Sequence, residues 1–144
     1  MIESDTIKLL RECDAGIKMG TASIRDVEDH IKNEEMKKYL LASTDEHEEL
    51  GREMEKLLDK YRDDGKEPNP IAKGMSYMKT NMKLMMEDTD STIADLMIDG
   101  CNMGVKSLNR YLNEYKAADE VSKDMAKRLI NLEEKMSVEL RKYL

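Results

Sequence analysis

The side chains of this 144-residue chain best suited to bind a metal or carry electrons are two cysteines and two histidines. Cys13 and Cys101 stand in matching contexts, Cys13-Asp-Ala-Gly16-Ile17-Lys18 and Cys101-Asn-Met-Gly104-Val105-Lys106, 88 residues apart. Together they could act as a redox pair or as soft-metal ligands, although two thiolates alone do not fill a four-coordinate zinc site. The plainer reading makes each a small buried hydrophobe, since neither has a strongly cationic sequence neighbour to favour its thiolate. His47 lies within Asp45-Glu46-His47-Glu48-Glu49. A metal reading would add Asp14 or Asp99 from neighbouring helices. The plainer one is a histidine at the core edge, hydrogen-bonded to a carboxylate or to Ser43. His30 reads more simply as the complement to the negative end of a helix.

Gly16 and Gly104 recur at equivalent positions. A glycine inside a helix costs about 1 kcal/mol relative to alanine, so the recurrence implies a shared need. Close approach of the first and fourth helices where they cross would meet it, as would room for a flat ligand. Met75, Met78, Met82, Met85 and Met86 form a further cluster. They could form a copper-binding motif, since thioethers suit Cu(I), or an adaptable partner surface, but no His or Cys converges on them in sequence. Methionine at helical spacing is the usual filler of irregular cores, so the stripe is expected to face inward.

Composition points to the elements that must position these groups. The chain has 13 Met, no Phe or Trp, only two Pro and seven Gly, and 38% charged residues. That is the signature of long helices. Residues 1–72 carry 19 acids and 12 bases, a net of −7, and residues 73–144 carry 12 of each, a net of zero. No basic stripe stands out, which argues against nucleic acid, where phosphate neutralisation supplies most of the affinity. No segment approaches the roughly 20 apolar residues of a membrane span. The N-terminal segment is charged from Glu3 and the cysteines are few, so a reduced, cytoplasmic protein is expected.

Apolar residues recur in threes and fours along five segments, near 4–30, 34–62, 70–86, 91–115 and 120–143. The inward stripes expected are Leu10, Cys13, Ile17, Gly20, Ile24, Val27 and Ile31; Met36, Leu40, Ser43, His47, Leu50, Met54, Leu57 and Tyr61; Ile98, Cys101, Val105, Leu108, Leu112 and Tyr115; and Met125, Leu129, Leu132, Met136, Leu140 and Tyr143. Asn33 suits an N-cap, Gly65 a turn, and Pro70 the first residue of a helix. The two cysteine motifs, with Asn33-Glu-Glu-Met36 lying cap on cap over Ser122-Lys-Asp-Met125, suggest an internal repeat. The result is an all-α, single domain over 1–144: a hairpin (4–62), a crossover with a Met-rich helix (63–90), and a second hairpin (91–144). If residues 63–90 run back along the second helix, the fourth helix points the same way as the second, the one-crossover topology of ferritin-like bundles.

The runs GKEPNPIAKGMSYMKTNMKL (65–84) and IADLMIDGCNMGVKSLNRYLNEYKAADEVSKDMAKRLI (93–130) resemble those of small, uncharacterised bacterial proteins of the ferritin-like, four-helix-bundle type. The resemblance spans about residues 10–144 and implies that fold. Di-metal members of the wider class use a Glu from each of two helices and Glu-x-x-His from each of the other two. Here Thr44 stands three before His47, Val27 three before His30, and the last helix has no His. Di-iron chemistry and cofactors are therefore not expected. The expectation is a non-catalytic bundle acting through oligomerisation, as a dimer, or through partner binding, with no nucleic acid and no membrane. The alternatives are a degenerate metal or redox bundle using Cys13, Cys101 and His47, with Asp14 a further metal candidate, and small-molecule binding between the two glycines.

Overall fold

Each helix begins on a polar side chain that accepts a hydrogen bond from the first turn, satisfying an amide the helix itself leaves orphaned. Ser4 caps α1 (Asp5–Val27), Asn33 caps α2 (Glu34–Lys60), and Asn69 caps α3 (Pro70–Met86). Thr89 caps α4 (Asp90–Glu114) and Asp119 caps α5 (Glu120–Glu139). Short 3-10 turns extend α1 (Glu28–His30) and α5 (Leu140–Tyr143). This computed structural model describes residues 4–144; residues 1–3, the start of the expected 1–144 span, lie outside it. The described residues contain five α-helices and no strand, along the segments that the periodicity marks out. One cap differs. Ser122 does not begin α5 as Asn33 begins α2; it lies within the first turn, its amide donating to Asp119 Oδ1 at 2.8 Å.

Two apolar layers fix the helix directions. One gathers Leu9, Leu10, Cys13 and Ile17 from the start of α1, and Leu50, Met54 and Leu58 from the end of α2. Leu108 near the end of α4 and Met125, Ala126, Leu129 and Ile130 from the start of α5 complete it. The other gathers the opposite ends: Ile24 and Val27, Met36 and Leu40, Ile93, Ala94 and Met97, and Met136 and Leu140. So α1 and α5 run one way, and α2 and α4 the other. The chain between α2 and α4 must return along the bundle, and α3, about 25 Å long at 1.5 Å per residue, covers most of that distance.

The bundle is not evenly built. α1 packs on α2, α4 and α5 and also touches α3, whereas α4 makes no comparable packing with α2. Along α2 the buried residue is Leu58 rather than Leu57 and Tyr61, which are half-buried and exposed. The loop after α2 is tied to α1. Arg11 Nε donates to Asp63 Oδ2 at 2.9 Å, the Lys66 amide donates to Asp14 Oδ2 at 2.9 Å, and Lys18 pairs with Glu67 at 3.0 Å. Gly65 has φ +82°, and a Cβ there would collide with the Asp14 carboxylate. That position requires glycine on both grounds. At the opposite end, Asp90 accepts the amides of Lys32 and Asn33 at 2.8 and 2.9 Å, tying the two hairpins together.

α3 reverses the sequence expectation. Its methionine stripe does not fill the core: Ile71, Met75, Met78, Met82, Met85 and Met86 are 62–87% exposed, and Leu84 is its one buried residue. The half-buried residues are Ser76, Thr80, Asn81 and Lys83. At 100° per residue Ser76, Thr80, Lys83 and Leu84 lie on the side away from the methionines, and Asn81 lies at the edge of their stripe. The physical reason is that α1, α2, α4 and α5 already close both apolar layers, so α3 adds only Leu84 and rests on its polar side.

Candidate functional site

Between the two apolar layers lies a polar belt. α2 supplies Ser43 and His47, and α5 supplies Glu133 and Ser137; all four are buried. His47 is 0% exposed, with Nδ1 2.7 Å from the Ser43 carbonyl and Nε2 3.2 Å from Glu133 Oε1. A carbonyl oxygen only accepts, so Nδ1 carries a proton and donates to it. The Nε2–Glu133 contact then needs a second proton. Burial opposes the imidazolium, but hydrogen bonds to Glu133 and to the Ser43 carbonyl, with the charges of Glu133 and Glu46, outweigh it and hold His47 above its ordinary value. Every buried side-chain nitrogen and oxygen among the described residues has a partner.

Cys101, in the second apolar layer, lies near Glu133. Burial, then the Glu133 charge, pushes the Cys101 thiol far above the usual range. Cys13 lies in the other layer, among Leu10, Ile17 and Met54; burial, with Glu12 and Asp14 nearby, pushes it up to about 12. Both thiols are free, buried and held protonated. Asp14 is turned to the loop, paired with Lys18 Nζ at 2.9 Å and the Lys66 amide, away from His47. The expected grouping of Cys13, Cys101, His47 and Asp14 is therefore split between two places. Among the described residues no three His, Cys, Asp or Glu side chains converge as a metal site requires.

The glycines do not mark a crossing of α1 and α4. A Cβ at Gly16 would stand 3.5 Å from Leu129 Cδ2 and one at Gly104 would stand 3.7 Å from Glu133, so both face α5 at ordinary contact distance. A two-fold relating the hairpins would set Gly104 against α2 instead. The side chains of Leu129 and Glu133 on α5 stand beside them, where a flat ligand between the glycines would have to lie. Two concavities lie on the surface: about 500 Å³ over Glu34, Lys38, Leu41 and Asp45, and about 320 Å³ over Lys8, Arg11, Lys66 and Tyr115.

One residue of the belt escapes the sequence reading, and a glycine beside the belt has a role that the sequence does not show. Glu133 sits at 129 plus four and 136 minus three, on the α5 stripe by spacing, but its charge makes Leu132 the natural choice. Leu132 is only half-buried. Gly20 is on the expected α1 stripe, and its special role lies in what it faces: a Cβ there would press within 3.3 Å of the His47 ring and 3.4 Å of Glu133 Oε1. His47 and Glu133 meet because Gly20 leaves them the space.

The outward side of α3 is the other candidate. It is an apolar stripe on a helix whose charges, Lys73, Lys79 and Lys83, include no acid from Pro68 to Met86. Lys83 is turned to Asp95 of α4 at 3.7 Å. No helix among the described residues is long and apolar enough to cross a membrane. Compared with known proteins, the chain matches no family model, no curated sequence and no solved structure.

Proposed function

We propose that this is a non-catalytic bundle of ferritin-like topology that works by association with another protein surface, through the outward stripe of α3. The observation that carries this is the orientation of α3. Large apolar side chains scattered over a surface are ordinary, but a contiguous apolar stripe marks an interaction site. Methionine suits such a surface because its flexible thioether chain repacks against a partner. The topology is supported by the parallel course of α2 and α4 around a long crossover. The non-catalytic reading is supported by the belt itself: both nitrogens of His47 are engaged and the thiols are protonated, so the polar centre holds the helices together and presents no base or nucleophile to a substrate.

The test is the native size of the chain in a freshly prepared lysate, against a Met75→Ser/Met78→Ser/Met82→Ser variant. The wild type is expected to migrate well above the 16.6 kDa of one chain, and the variant at monomer size. Both migrating as monomers would contradict the proposal.

A further inference from the structure

Resting on that reading, we infer that the partner of the α3 stripe is a second copy of this chain, the two α3 helices packing along a shared apolar seam. Ile71, Met75, Met78, Met82 and Met85 recur at steps of four and three. That narrow stripe is the spacing by which one helix meets another of its kind, each side chain entering a hole on the facing helix. The residues that would flank the seam within α3 are Ala72, Gly74, Lys79, Asn81 and Met86, so Lys79 alone carries charge. An interface core of this kind is depleted of charge.

Ile71, Met75, Met78, Met82 and Met85, with the flanking Met86, are 62–87% exposed and form one contiguous apolar face for a partner, where an interface of standard size takes about 800 Å² from each side. Two copies placed together each supply that face, and a two-fold axis needs only one self-complementary patch. The polar underside of α3 stays against its own bundle, so pairing requires no rearrangement of the fold.

Charge argues against the surface best matched to a basic amphipathic helix, an anionic bilayer. Lys83 pairs with Asp95 at 3.7 Å, and Lys73 lies near Asp26, whose carboxyl is pushed up by burial while Lys73 opposes that shift. The whole chain carries a net charge of −7, which an anionic leaflet repels.

Sedimentation equilibrium of the purified full chain across a wide dilution series tests the inference. The wild type is expected to follow a monomer–dimer equilibrium. Met78→Glu should raise the dissociation constant by at least about tenfold, and Met78→Leu should preserve dimerisation. Met78 faces outward, so helicity should be unchanged in both. In parallel, Met78→Cys should be captured as a covalent dimer by a short bis-maleimide. Val121→Cys on α5, 56% exposed, should remain single, since both native thiols are buried. A purified chain monomeric at every concentration, or a dimer unaffected by Met78→Glu and not captured at Met78→Cys, would overturn the inference. If the purified chain is monomeric while the lysate form is large, association through α3 survives and the second copy is excluded. Binding of the monomer to phosphatidylserine vesicles, lost in Met78→Glu, would likewise overturn it in favour of a lipid surface.

Discussion

At the scale of residues, the belt turns on the contact of His47 Nε2 with Glu133 Oε1 at 3.2 Å. The folded pKa of His47 is raised above its ordinary 6.5. The stabilisation it supplies is therefore complete below that value and is lost as pH rises through the folded pKa. The denaturation midpoint should fall across this window, below pH 9, where the thiols begin to contribute. Glu133→Gln should flatten the slope, because neutral His47 can accept from an amide at Nε2. Glu133→Leu leaves the imidazole unpaired and should cost about 3–5 kcal/mol, most of it recovered in His47→Met/Glu133→Leu. A slope unchanged in Glu133→Gln would show that His47 is not the group titrating. The glycines supply a second test. Gly16→Ala and Gly104→Ala gain helix propensity worth up to about 1 kcal/mol and meet neighbours at ordinary distance. Gly20→Ala gains the same but pushes an imidazole fixed at both nitrogens. Chemical denaturation should therefore rank Gly20→Ala below the other two; equal stability of all three would mean that the ring moves freely. The inward places of Cys13 and His47 were legible from spacing alone. Glu133 was not, because reading a stripe by hydrophobicity discards a carboxylate, and only the histidine opposite it makes its burial tolerable.

At the scale of elements, helix limits could be read almost to the residue. Asn33, Pro70 and the polar cluster before α4 act locally, and a cap needs nothing distant to work. The side of α3 that faces the bundle could not be read that way. A period identifies the face that gains from burial, but not whether the covering surface belongs to the same chain. Here Cys101, Met97 and Leu140 complete a layer to which α3 adds only Leu84. Leu84→Ala should cost about 2–5 kcal/mol, while Met75→Ser, Met78→Ser and Met82→Ser should each stay within about 0.5 kcal/mol in the monomer. Thermal or denaturant unfolding at low concentration checks both. Large losses at the three methionines would place the stripe in the core.

At the scale of the whole molecule, α1, α2, α4 and α5 close a two-layered core around a polar belt, and α3 carries the exposed methionine stripe. The two cysteine motifs suggested a symmetric pair of hairpins, but α1 stands at the centre while α4 stands apart from α2, and Gly16 and Gly104 both face α5. That asymmetry leaves α3 on the flank with its apolar side free. The methionines themselves provide the most direct measurement. Peroxide oxidation resolved by mass spectrometry reads the exposure of each thioether. In dilute protein, Met75, Met78, Met82, Met85 and Met86 should oxidise as readily as exposed Met103, and far faster than buried Met36, Met54, Met125 and Met136. In concentrated protein the α3 methionines should become protected while Met103 does not. Stripe methionines as slow as Met36 and Met54 in dilute protein, or unprotected at high concentration and in lysate alike, would contradict the account.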